Sequence, residues 1–196
     1  MAFIETVSEE GAAGVVAETY EAERARLGYL PNYARVFATR PPVYAAWRRL
    51  NGAIKAGMDP RRYELVTVAA ARRLRSSYCA LAHGKVLVDR FFEPAAAHDV
   101  VTDHRKAGLD PVDVGVMDLA EKVVEDATSV TESDLDRLRR LGLSDVEIFD
   151  VVVTAAARCF FSKTLDALGV RADSAYGELD PELREALTVG RPIAEE

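Results

Sequence analysis

The chain has 196 residues, 49% of them apolar and 29% charged, with 25 Lys+Arg against 32 Asp+Glu and a formal net charge of −7. This length and composition suit one domain with a substantial core, and exclude a disordered chain or a disulfide-stapled miniprotein. The acidic balance argues against a nucleic-acid partner bound by phosphate neutralisation. The opening residues lack the basic segment and apolar core of a secretory signal, and no run approaches the roughly 18 apolar residues of a membrane span. The expectation is a cytoplasmic protein with no membrane partner. Its two cysteines, Cys79 and Cys159, then default to free thiols.

Taken in chain order, almost every segment reads as helix: 11–27, 32–38, 42–56, 60–74, 77–91, 94–106, 111–127, 132–141, 145–168 and 181–188. Asp59-Pro60, Asp110-Pro111 and Asp180-Pro181 each set a capping side chain before a first-turn proline, and Ser144-x-x-Glu147 is a capping box. Gly108, Gly142 and Gly169 stand where left-handed helix caps belong. Connections are short and no Gly/Ser/Pro-rich linker divides the chain, so residues 1–196 are expected to form one all-α domain. The acidic tail from about 190 to 196 is expected to fray.

Two helices are apolar nearly all round, those containing Glu64-Leu-Val-Thr-Val-Ala-Ala-Ala-Arg72 and Phe149-Asp-Val-Val-Val-Thr-Ala-Ala-Ala-Arg158. Such helices belong inside a bundle or at a subunit contact. Glu64 is anomalous in that company. Arg72-Arg-Leu-Arg75 suits the C-terminal end of its helix dipole. Trp47, Tyr44, Phe91 and Phe92 read as core or subunit-contact residues, one or two of them able to line a pocket.

The chemistry concentrates in Arg75-Ser-Ser-Tyr-Cys79-Ala-Leu-Ala-His83-Gly-Lys85. Ser76 or Ser77 can cap a helix that carries Cys79 in its first turn, where the positive dipole end favours a thiolate. His83 follows four residues on, on the same face, as a base for the thiol. Glu64 on the preceding helix is the carboxylate that could orient His83. The competing reading is a small buried Cys at chance spacing from a His. A metal site would need His98, His104 and Cys159 to converge, which their spacing does not suggest. No phosphate-binding glycine loop appears, and no cofactor is expected.

The segment from Glu64 to Lys85 resembles the signature of the alkyl hydroperoxidase D-like / carboxymuconolactone decarboxylase superfamily, especially its peroxidase-related branch. That signature is a Glu, about a dozen residues, then C-x-x-C-x-x-x-H on two adjacent helices; Glu64, Cys79 and His83 match its Glu, second Cys and His. The resemblance implies an alkyl hydroperoxidase D-like helical bundle and a thiol-dependent hydroperoxidase. In such enzymes the second cysteine attacks, Glu and His relay its proton, and the first cysteine resolves the sulfenic acid. Here Ser76 replaces the resolving cysteine and Tyr78 stands where a helping His is common. A serine cannot close the disulfide, so an external small thiol or dithiol protein would reduce Cys79, unless Cys159 resolves it. The alternatives are an acid/base decarboxylase or lactone-acting enzyme, and a non-catalytic oligomeric module. A homo-oligomer is expected in each case.

Overall fold

The computed structural model describes residues 2–195, and these form a single all-α domain. Its helices are α1 (Val15–Leu27), α2 (Asn32–Phe37), α3 (Pro41–Gly57), α4 (Pro60–Arg73), α5 (Ser77–Arg90), α6 (Pro94–Asp103), α7 (Pro111–Asp126), α8 (Glu132–Arg140), α9 (Asp145–Ala167) and α10 (Pro181–Leu187). Two short 3₁₀ turns, Ala127–Ser129 and Ser174–Glu178, join α7 to α8 and α9 to α10. No strand occurs among the described residues.

The boundaries follow local chemistry. Asp59 accepts from the Arg62 N–H, Asp180 accepts from Glu182 and Leu183, and Ser144 and Glu147 cap each other reciprocally. Asp110 makes no such bond, so that helix start relies on its proline. Gly142 and Gly169 hold φ of 99° and 74°, the left-handed backbone that a helix stop requires. The first helix starts at Val15 and not at residue 11, because Gly14 breaks the segment with φ 52°.

α4 is the axis of the bundle. Every residue from Tyr63 to Ala71 is buried, and the helix packs against α5, α7 and α9. A helix without a polar face is stable only when covered on all sides, and three neighbours supply that cover. α9 is two-sided: Val151, Ala155, Phe161 and Leu165 face the core, whereas Val146, Phe149 and Phe160 are exposed.

The end of the chain does not fray as expected. Ser77 accepts from the Gly190 N–H (2.8 Å), Arg191 reaches the Asp166 carbonyl, and the Ala194 N–H donates to Ala172. Residue 196 lies outside the described residues. Arg72 and Arg75 contribute to the same strap by donating to the carbonyls of Ala186 and Val189. The basic cluster is therefore a clamp on the chain terminus, and the dipole alone does not account for it.

α5, which carries the Cys79–His83 motif, is seated by α10. Gly84 leaves no room for a side chain, since a Cβ there would lie 2.4 Å from a methyl of fully buried Leu187. Gly84→Ala should lower unfolding stability by about 1–3 kcal/mol, the usual range for overpacking. The Gly84→Ala/Leu187→Ala double variant should cost less than the sum of the single changes, and urea melts of the four proteins measure the coupling.

Candidate active site

Glu64 lies past the first turn of α4, so the dipole at the helix start does not explain it. Its side chain is 1% exposed. A carboxylate so placed must be neutralised, and two groups do so: His83 Nδ1 stands 2.5 Å from Oε2, and Lys55 Nζ donates to Oε1 at 3.1 Å. Burial pushes the Glu64 pKa up, but His83 and then Lys55 outweigh it and hold the carboxyl below its ordinary value. The group is ionised at neutral pH and can only accept. Hence the proton of this bond sits on His83 Nδ1.

The other ring nitrogen faces Arg158, whose Nη1 lies 3.2 Å from His83 Nε2. A guanidinium has no acceptor, so Nε2 must offer its lone pair. His83 is therefore the neutral Nδ1–H tautomer. Burial lowers its pKa, Glu64 raises it, and the balance leaves it below the ordinary value. Arg158 comes from α9 and donates through Nη2 to Asn51 Oδ1 on α3 at 2.9 Å, where Tyr63 also donates. The guanidinium carbon lies 4.9 Å from the Trp47 ring centroid and 5.6 Å from that of Phe161. These rings fix the arginine in place.

Cys79 stands on the third residue of α5, in its first turn as expected, and is 2% exposed. Its thiol is not acidic. Burial pushes its pKa up beyond what Arg158, Ser162 and Ser76 recover. The expectation of a thiolate at rest fails because desolvation outweighs the helix-start field. The buried hydroxyls of Ser162 and Ser76 both stand near the sulfur, and Ser76 also stands near Asp166. No hydrogen bond joins Cys79 to His83; the histidine is committed to Glu64 and Arg158.

Cys79 and His83 nevertheless line one cavity of about 400 Å³, together with Glu64, Arg158, Trp47 and Tyr78. Tyr78 points its hydroxyl to Asp173 at 2.5 Å, and burial, then Asp173, raises its pKa far above neutrality. A second buried carboxylate closes the other end of the cavity. Glu23 accepts from Tyr44 at 2.6 Å, Tyr33 at 2.7 Å and Arg26 at 2.6 Å. Of the four aromatics singled out in sequence, Trp47 and Tyr44 reach the cavity, whereas Phe91 and Phe92 do not.

Cys159 follows Arg158 on α9 but is partly exposed and does not line the cavity; both cysteines are free. Among the described residues the one grouping of metal-ligand type is His104, Asp118 and Glu121 on another face, and neither His98 nor Cys159 joins it. Arg105 and Arg137 already reach Asp118 there, at 2.6 Å and 3.3 Å. Sequence reasoning found Glu64, Cys79 and His83 but missed Lys55, Asn51, Tyr63 and Arg158. Only Arg158 had left a signal, as the charged end of an apolar run.

No family model and no curated protein matches the sequence. Solved structures do share its fold. The alkylhydroperoxidase AhpD core of an uncharacterized peroxidase-related protein from Ralstonia eutropha JMP134 matches with a TM-score of 0.79 at 21% identity, over 97% of this chain and 98% of that one. An uncharacterized peroxidase-related protein from Silicibacter sp. TM1040 gives 0.77 at 19% identity, over 90% and 92%. The debrominase Bmp8 gives 0.74 at 13% identity, over 93% and 95%. The fold is AhpD-like.

Since burial holds the thiol up, Cys79 should alkylate with a midpoint above the ordinary thiol value near 8.5, and at pH 7 more slowly than the partly exposed Cys159. Rates with iodoacetamide against pH, followed by peptide mapping, check this. Stability carries a matching signature. His83 and Glu64 both have folded pKa values below their unfolded ones, so the unfolded chain binds more protons as pH falls. Unfolding free energy should be full above about pH 6.5 and decline below it, first through His83 and then, below about 4.5, through Glu64.

Proposed function

We propose that the protein is a thiol-dependent peroxidase of organic hydroperoxides, with Cys79 as attacking group and Glu64 and His83 as its proton relay. The observation that carries this reading is the Glu64–His83 pair. It keeps Nε2 unprotonated, held by Arg158, on the wall of the cavity that Cys79 also lines. Burial keeps the thiol protonated and the imidazole neutral at rest, which is the correct starting pair for a general base and an acid. The buried Glu64 carboxylate then stabilises the imidazolium formed when the proton moves.

The steps balance without a cofactor. Cys79 S–H gives its proton to His83, the sulfur attacks the distal peroxide oxygen, and the O–O bond breaks. His83 returns the proton to the departing alkoxide, so R–O–OH and Cys79–SH become R–OH and Cys79–SOH. A first external thiol condenses with the sulfenic acid, releasing water and leaving a mixed disulfide; a second thiol restores Cys79. The donor is a small thiol or a dithiol protein, because Ser76 occupies the resolving position and Cys159 lies off the cavity.

We read the protein as a cytoplasmic homo-oligomer. Exposed Val146, Phe149 and Phe160 on α9 and Val43 and Leu50 on α3 support an apolar contact between copies. No helix among the described residues is long and apolar enough to cross a membrane. A second reading has one observation in its favour: Glu64 and His83 are paired without any bond to the thiol. Such a pair could run acid/base chemistry on a lactone or carboxylated substrate with Cys79 as a bystander.

Brief treatment with cumene hydroperoxide should add one oxygen atom to wild type at Cys79, and with added thiol give the mixed disulfide. Cys79→Ser should remain unmodified, and Glu64→Gln should react about 10²–10⁴-fold more slowly. Intact-mass measurement reads all three. Equal oxidation in Cys79→Ser would remove the thiol reading and favour the acid/base one. Ser76→Cys should form an internal disulfide with Cys79.

A further inference from the structure

Arg158 is 3% exposed, yet among the described residues its side-chain partners are His83 and Asn51 and none is a carboxylate. Nη1 donates to the neutral His83 and Nη2 to the neutral Asn51 amide, while Nε–H is buried with no partner. A guanidinium cannot shed its charge, and a buried N–H left unmade carries its desolvation cost uncompensated. The other buried charges lining this cavity are all matched: Glu64 by Lys55 and His83, and Glu23 by Arg26. Among the described residues, Arg158 is the buried cation of this cavity that no carboxylate neutralises. It stands on the same cavity as Cys79, and Trp47 and Phe161 prevent it from swinging away.

We propose that Arg158 is the anion-binding group of the reaction chamber, holding the negative charge that forms on the Cys79 sulfur and passes to the departing alkoxide oxygen. The inference rests on Cys79 being the attacking thiol. One unit of charge travels through the reaction: it appears on sulfur when His83 takes the proton and moves to oxygen as O–O breaks. It vanishes when His83 returns the proton. A buried cation on this cavity serves every one of those positions. At rest Nη1 also holds the Nε2 lone pair, and that bond gives way as His83 takes the proton.

Two alkylating agents of similar size and opposite charge character test this without a peroxide. Iodoacetate is an anion and iodoacetamide is neutral. In wild type the iodoacetate-to-iodoacetamide rate ratio should be higher at Cys79 than at Cys159, which serves as the internal reference. Arg158→Gln should lower the Cys79 ratio by about tenfold, and Arg158→Lys should restore most of it. Should Arg158→Gln fail to fold, thiocyanate on wild type gives the same information, protecting Cys79 from iodoacetate more than from iodoacetamide. An unchanged ratio in folded Arg158→Gln, or equal protection from both reagents, would overturn the proposal and leave Arg158 as packing between two rings. Oxidation by hydroperoxide is read separately. A lost ratio with no peroxide reaction would retain the anion site and remove the peroxidase.

Discussion

One buried carboxylate organises this molecule. Glu64 sits on α4, which packs against α5, α7 and α9, with essentially no exposure, and an ionised group there is tolerable only if cations and donors reach it. Lys55 arrives from α3 and His83 from α5, so three helices are registered against one another by a single charge. Committing His83 Nδ1 to Glu64 fixes the tautomer and leaves Nε2 as an acceptor. Arg158 from α9 meets that nitrogen, and Asn51 then ties α9 back to α3. Truncating Glu64 would strand Lys55 and release the ring, which is why its effect should extend beyond local stability.

The electrostatics of the chamber oppose a resting ion pair. Burial acts on Cys79 and His83 in opposite directions, raising the acid and lowering the base, so both are neutral at rest. A site of this type stays quiet toward stray oxidants and develops charge only when a ligand completes it. Glu23 at the far end shows the contrasting solution. There two tyrosine hydroxyls and Arg26 satisfy a carboxylate fully, holding it below its ordinary pKa despite burial. That carboxylate is satisfied from three sides, whereas Arg158 keeps a buried Nε–H without a partner.

Much of the fold was legible because its helix ends are written in local chemistry. Proline after aspartate, the Ser144–Glu147 box and glycines with positive φ act within one turn, and the observed ends fall within a few residues of expectation. Gly14 was missed since a glycine in a polar stretch has no distinguishing neighbour. The site was legible in the same measure. Glu64 stood out as a charge in an apolar run, and Cys79 and His83 as a helical pair. Arg158 ended a run just as apolar, but only the approach of α9 to α3 and α5 gives it meaning, and that approach is long-range. The Cys79 pKa was misjudged for a related reason: the helix-start field is local and readable, while burial of the thiol depends on how the bundle closes. The chain terminus held by Arg72, Arg75 and Ser77 is likewise a contact between distant segments.

The chemistry of the cavity depends on Glu64 holding His83 as the neutral Nδ1–H tautomer, with Nε2 an acceptor facing Arg158. Nitrogen-15 NMR of the labelled imidazole near pH 7 tests it directly. The account predicts a protonated Nδ1 and an unprotonated Nε2 in wild type, with that preference lost in Glu64→Gln. An Nε2–H tautomer, or a ring spectrum indifferent to Glu64→Gln, would contradict it.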